Sequence, residues 1–476
     1  MDVQQFLNAP KSMIIAPAGY GKTHTISEAL LSYNGQKRVL VLTHTHAGIA
    51  SLKEKFSQNN IPLGKYHLDT ICSFALNLTK VFHLNKDEIP TDQEVSVLFD
   101  FAIEKAKLIL CASPIRQLMH SRYEHLIVDE YQDCSVDQHE MIMILSETLK
   151  THLLGDPLQG IFNFGTHKIV DFADSKLIQF MQNSQTLETP WRWKNAGNVS
   201  LGNDLAMIRE KLISEEDVDL KDYKSIIWIK GSESDYARQN SNVKNNIFRE
   251  LNNGAVIIHP NATSVEPRKA VARLFKQLQL IEPIDSKDYY DICLRIDKNI
   301  GPQLVQDLVT VMRKICNKTC INKWFRENGT IISKRLQSDQ IIQQRLESAR
   351  NKLVEEKNHT NIISFIDVID SLSDIVVYRK EFHKDLKNIL LYAERLHITA
   401  SEALARNRNM LRHKGRKIME KSIGTTLLTK GLEFKNVVVL NAQQFKNPRD
   451  FYVAITRCSK RLVVISNSNI LHPYSS

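Results

Sequence analysis

The sequence has no pattern of paired cysteines, no secretory leader and no apolar run of membrane-spanning length, and each absence removes a class of protein. Its seven cysteines stand at 72, 111, 134, 293, 316, 320 and 458, too scattered for a disulfide-stapled secreted domain. Only Cys316 and Cys320 are close. A C-x₃-C without a second ligand pair is weak support for zinc or an iron–sulfur cluster, so free buried thiols are expected. The N-terminus lacks the basic, apolar, small-residue order of a signal peptide, and no apolar stretch approaches the length of about 18 residues that spanning requires. A cytoplasmic protein without a membrane partner is expected. No internal repeat or low-complexity tract interrupts the 476 residues, enough chain for about two to four domains with cores of their own.

Excess positive charge is present instead. The formal net charge of +10 favours a polyanionic partner, although many basic proteins never meet nucleic acid. The densest run, Arg406, Arg408, Arg412, His413, Lys414, Arg416 and Lys417, reads equally as a solvated helix end and as a nucleic-acid track.

Two segments carry chemistry. Residues 16 to 23, Ala-Pro-Ala-Gly-Tyr-Gly-Lys-Thr, follow the apolar run Met13-Ile14-Ile15 and precede a helical stretch, the context a phosphate cradle needs. Gly19 and Gly21 allow the tight turn, Lys22 can reach the β- and γ-phosphates, and the Thr23 hydroxyl can ligate Mg²⁺. The first position, where glycine is usual, is Ala16. Residues 128 to 133, Val-Asp-Glu-Tyr-Gln-Asp, end another apolar run; Asp129 is placed to hold Mg²⁺ and Glu130 to orient and deprotonate an attacking water. Together they point to ATP hydrolysis.

Further blocks narrow this. Residues 155 to 164 read GDPLQGIFNF, residues 187 to 192 LETPWR, residues 425 to 440 TTLLTKGLEFKNVVVL and residues 451 to 458 FYVAITRC. Their order and spacing resemble superfamily 1 DNA helicases of the UvrD/Rep type. The resemblance implies ATP and Mg²⁺ as cofactors, single-stranded and tailed duplex DNA as partners, and movement in the 3′ to 5′ direction. It makes Gln159 the γ-phosphate sensor, Arg192 and Arg457 arginine fingers, and Glu433 a contact near the ribose; it also places Gln4 and Ala16 among the nucleotide-binding residues. Phe164 and Phe162 match the family's base-stacking pair, and Thr43 and His44 occupy the position where the family meets the DNA strand. Several positions depart from the pattern: the arginine after the aromatic is absent in Phe162-Asn163-Phe164-Gly165-Thr166, Leu427 stands where histidine is common, Cys72 replaces a histidine, and Pro190-Trp191 precede Arg192. None touches the residues assigned to Mg²⁺ or water. They bear on how hydrolysis couples to DNA.

The resemblance and the alternation of strands and helices imply an α/β fold with two RecA-like parallel-sheet lobes and helical insertions. The expected division is 1–69 with 121–184 for the first lobe, 70–120 for a small helical insert, 185–280 with 416–476 for the second lobe, and 281–415 for its insertion, including an amphipathic stretch from Leu386 to Ala405. The chain ends about twenty residues after Arg457, and no carboxylate cluster of a nuclease is found. Size and layout resemble the helicase component of Gabija-type antiphage systems, which implies a separate OLD-family nuclease partner. Two functions stay open: a helicase or translocase in DNA repair or antiphage defence, and an ATP- and DNA-gated regulatory component that controls a nuclease and unwinds little.

Overall fold

Short apolar runs, each leading through a polar turn into a helix, set the architecture. The computed structural model describes residues 2–90, 95–161, 168–281, 287–414 and 419–474. Strands β1 (Lys11–Ile15), β2 (Arg38–Thr43), β3 (Tyr66–Thr70), β4 (Tyr123–Val128), β5 (Lys150–Gly155) and β6 (Ser184–Thr186) form one sheet in the order β3-β2-β4-β5-β1-β6. Every pair is parallel, with Val41 opposite Ile127 and Met13 opposite Leu153. Helices cover both faces of such a sheet, which is why its central strands are continuous apolar runs rather than alternating ones; Val39 to Leu42 and Leu126 to Val128 are all fully buried. A polar chain crosses this core: Ser12 Oγ meets His152 Nδ1 at 2.8 Å, and His152 Nε2 meets His125 Nδ1 at 2.9 Å. Burial pushes both imidazoles down, His125 to about 4, so the pair is neutral.

The chain forms two compact units. One comprises Met1–Glu233, His413–Gly415 and Thr429–Ser476, and the other Ser234–Arg412 and Arg416–Leu428. The first also contains the parallel strands Phe434–Val439, Cys458–Ser466 and Ile226–Lys230, paired in that order, and a short antiparallel pair, Val218–Asp219 with Ile470–Leu471. The second contains the parallel strands Gln279–Leu280, Ser422–Gly424 and Val256–Ile258 and a helical core. The fold class is the expected α/β, with parallel sheets and many helices.

In that helical core, Gly301–Ile315 starts with Pro302 in its first turn and buries Leu304, Val305, Leu308, Val309, Met312 and Ile315 along one face. The stretch expected as one segment from Leu386 to Ala405 is two helices, Lys380–Leu396 and Ala400–Lys414. His397 turns the chain at a left-handed φ of 53°, and the Asp297 carboxylate accepts the N–H groups of Ala400 at 2.8 Å and Ser401 at 2.9 Å. A cap supplied from about a hundred residues away starts the second helix. All seven cysteines are free thiols, but not all are buried: Cys111 is exposed and Cys72 half-buried. No helix among the described residues is long and apolar enough to cross a membrane.

Candidate active site

The C-terminal ends of β1, β4 and β5 deliver three loops to one edge of the first sheet, the position where parallel sheets bind ligands. After β1 the backbone turns through Gly19 at φ 76° and Gly21 at φ 96°, then enters the helix Lys22–Ser32, whose first turn has no side-chain cap. Such an uncapped N-terminus presents N–H groups to an anion. A Cβ on Gly19 would lie 2.8 Å from Arg192 Cβ and 2.9 Å from the buried Trp193 ring. Gly19→Ala is therefore expected to cost about 1–3 kcal/mol through backbone strain and displacement of Arg192. A denaturation midpoint equal to the wild type would show that the turn is not so constrained.

The acidic side of the site follows β4. Asp129 is buried, its N–H donates to Leu42 O at 2.8 Å, and its Oδ1 has no hydrogen-bond partner among the described residues. Burial first, and the adjacent Glu130 second, push its carboxyl up to about 7 against the pull of Lys22. Glu130 sits at a left-handed φ of 53°, uncommon for a side chain of its kind, and this backbone turn re-aims its carboxylate. Burial would raise Glu130, but Lys22, whose Nζ lies 3.8 Å from its Oε1, together with Lys430, the Gln132 amide and Arg457, outweighs that and holds it below the usual carboxylate range. The two neighbouring acids are thus driven apart. One keeps its charge and the other waits for a cation.

Gln132 ties this acid to β5. Its Nε2 donates to Glu130, and its Oε1 accepts the Asp156 N–H at 3.0 Å. Asp156 in turn accepts from Gln159 Nε2 at 3.0 Å, and Gln159 Oε1 accepts from Arg457 Nη2 at 3.4 Å. Arg457 is almost fully buried, and burial, then the nearby Arg192 guanidinium, lowers it to about 10, still charged at neutral pH. Arg192 donates through Nε to Glu433 at 2.7 Å and through Nη1 to the Thr456 carbonyl. Lys430 donates to Asp133 and to the Gln159 carbonyl, so a buried ammonium stands within the acid cluster. On the other flank the Ala18 N–H donates to Tyr452 Oη at 3.3 Å.

The loops enclose one cavity of about 640 Å³, within the usual range for ligand pockets. Its wall includes Gly19, Gly21, Lys22, Thr23, Asp129, Glu130, Gln159, Arg192, Glu433 and Arg457. The donor set fits a hard divalent cation: an orphaned buried carboxylate oxygen on Asp129 and the Thr23 hydroxyl share the cavity.

A protein-family model described as an AAA domain matches residues 2–165. The Gabija protein GajB of Bacillus cereus (strain VD045) is 24% identical over 402 residues, covering 79% of this chain and 69% of that protein. The RecBCD enzyme subunit RecB of Buchnera aphidicola subsp. Acyrthosiphon pisum (strain APS) is 30% identical over 146 residues, 30% of this chain but 11% of that protein. These similarities are to helicases of superfamily 1. The chain's enzyme class is that of an ATPase/helicase. The crystal structure of Pif1 helicase from Candida albicans aligns over 98% of this chain and 93% of its own at 13% identity with a TM-score of 0.38, a likeness that carries no argument.

Not every residue expected at the site is there. Ala16 is buried and its N–H is spent on Gly155 O at 3.0 Å, so strand pairing removes it from phosphate binding. Gln4 is exposed in the first turn of the helix Val3–Asn8 and does not line the cavity. Of the four residues expected to meet DNA, Phe162 and Phe164 lie outside the described residues. Thr43 is fully buried with its hydroxyl against Gly48, where an added Cβ would come within 2.5 Å, so the side chain faces the core. His44 lines the nucleotide cavity; burial and Lys430, against Glu130, lower it to about 4, leaving a neutral imidazole. Conversely, Lys430, Asp133, Gln132 and Trp191 belong to the site and were not singled out by the sequence, although all four stand inside or beside recognisable blocks.

Proposed function

We propose that the protein hydrolyses ATP to move along single-stranded DNA in the 3′ to 5′ direction and to open duplex ahead of it. One observation carries the ATP half of this reading: Lys22, Asp129, an ionised Glu130 and Arg457 line a single cavity beside a helix N-terminus. The DNA half draws on the family and on the net charge of +10, which supplies phosphate contacts.

Lys22 Nζ, now 3.3 Å from Ala16 O, extends to the β- and γ-phosphates, and the amides of the glycine turn hold the oxygens. Thr23 and Asp129 would hold Mg²⁺, which would supply neutralisation of phosphate charge. Glu130 accepts the proton of the attacking water. Gln159 Oε1 accepts from Arg457 Nη2 at 3.4 Å, so a γ-phosphate between them would compete for both and exchange their mutual contact for contacts to itself. A guanidinium that reaches the phosphate only after this exchange makes hydrolysis depend on conformation.

Trp191 supplies a flat face at the cavity wall. It is 41% exposed, lies over Gly21, and carries Lys194 Nζ 4.7 Å above its ring. Stacking of the adenine base there, worth about 1–3 kcal/mol, predicts that Trp191→Ala raises KM for ATP by roughly 5- to 150-fold with kcat little changed. An unchanged KM would move the base elsewhere.

The function is placed in DNA repair or antiphage defence, with a separate OLD-family nuclease chain as partner in the second case. The deciding experiment is steady-state ATP hydrolysis with and without single-stranded DNA, beside strand separation on a 3′-tailed duplex, with Lys22→Ala as the blank. DNA-stimulated hydrolysis with unwinding supports the motor. Stimulation without unwinding favours an ATP- and DNA-gated component that controls a nuclease, and no hydrolysis refutes both.

A further inference from the structure

Arg209, on the helix Val199–Ile213, lies outside every block that marks the family, yet its guanidinium reaches the centre of the catalytic network. Its Nη2 donates to Asp156 Oδ1 at 3.0 Å. Asp156 has no exposed surface, and Oδ1 also accepts the Leu158 N–H at 3.2 Å while Oδ2 accepts Gln159 Nε2 at 3.0 Å. Tyr20 and Tyr452 stand beside the pair, both hydroxyls raised by burial, and Arg209 Nε has no hydrogen-bond partner among the described residues.

We propose that Arg209 is a positioning residue for the γ-phosphate sensor Gln159, acting through Asp156. The inference rests on the ATPase reading of the site. A side-chain amide has two orientations related by a flip, and the partners decide between them. An ionised carboxylate is acceptor-only, so Asp156 takes the Gln159 NH₂ and thereby turns Oε1 toward Arg457. A fully buried carboxylate is costly unless a cation stands beside it, and Arg209 is that cation. Without it, Asp156 loses the partner that holds its carboxylate in place against the Gln159 amide. The amide is then no longer fixed in one orientation, and Arg457 Nη2 loses Gln159 Oε1 as an acceptor. The effect falls on the orientation of the sensor and finger, while the phosphate cradle around Lys22 keeps its own contacts.

The test is steady-state ATP hydrolysis by the full chain and its Arg209→Met, Arg209→Lys and Arg209→Met/Asp156→Asn variants. Arg209→Met is expected to lower kcat by about 10- to 100-fold with KM for ATP within about twofold, the size that misplacement of a catalytic group produces. Arg209→Lys, which keeps the charge, is expected to recover at least part of the loss. The double variant should be no worse than Arg209→Met alone, because the two residues act as one unit. Wild-type kcat in Arg209→Met, a rise in KM alone, or an additive double variant overturns the inference. If Arg209→Met does not fold, the double variant, which removes both charges together, must show the kcat deficit, and full activity there overturns the inference as well. Failure of the wild type to hydrolyse ATP refutes the reading of the site, whereas an active wild type with an equally active Arg209→Met refutes only the role of Arg209.

Discussion

Glu130→Gln should lower ATP turnover by about 10²- to 10⁴-fold, the usual worth of a general base, while leaving nucleotide binding intact. The substitution removes the proton acceptor and little else. Gln132 Nε2, which now donates to Glu130, keeps an amide oxygen to bond, and the left-handed backbone at residue 130 is unchanged by an isosteric side chain. Metal binding should improve, because Glu130 is one of the charges that push Asp129 up to about 7. A neutral residue at 130 relieves that repulsion and leaves Asp129 more readily ionised. The expected state is one that binds ATP and Mg²⁺ and fails to turn over. Single-turnover hydrolysis beside equilibrium binding of a fluorescent nucleotide separates the two steps. Hydrolysis at the wild-type rate would move the base to another group, and lost binding would mean that Glu130 holds the site together instead.

The sequence revealed the parts of this site that are local and hid those that are assembled. Lys22, Thr23, Asp129 and Glu130 were legible because a strand, a short turn and a helix place them within a few residues of the element that fixes them. Lys430 was not. Its partner Asp133 is 297 residues away, and only the fold turns the first residue of KGLEF into the ammonium of an acid cluster. Ala16 shows the reverse error: a motif position was read as ligand-facing when its N–H belongs to the ladder with β5. The edge strand Tyr66–Thr70 escaped notice because Tyr-His-Leu-Asp-Thr has no apolar run, and an edge strand needs none. The helix start at Ala400 was equally invisible, since its cap is a carboxylate on another helix. Fold class survived these misses because parallel-sheet periodicity repeats along the chain, whereas a polar network is decided once, by tertiary contact.

Arg457→Ala carries the second large effect. An arginine finger is worth about 10³- to 10⁵-fold in kcat, and the proposed mechanism gives Arg457 that role. Its guanidinium donates to Val453 O at 3.0 Å, contacts Gln159, and lines the cavity opposite Glu130. A competing account holds that so buried a side chain is merely structural, and that its loss would unfold the unit. The charges argue otherwise. Burial and the Arg192 guanidinium both work against the ionised form of Arg457, lowering it to about 10, so the side chain is held charged at a cost to the resting protein. Removing it relieves Arg192 and leaves Gln159 with Asp156 and Lys430 as partners. Stability should therefore change less than activity does: a denaturation midpoint within a few degrees of the wild type, with kcat down by about three orders of magnitude or more and KM for ATP altered by far less. A midpoint that collapses together with kcat would favour the structural account. A kcat within about tenfold of the wild type would leave Arg192 or Lys430 as the cation that meets the γ-phosphate, and Arg192→Ala measured in parallel distinguishes those two.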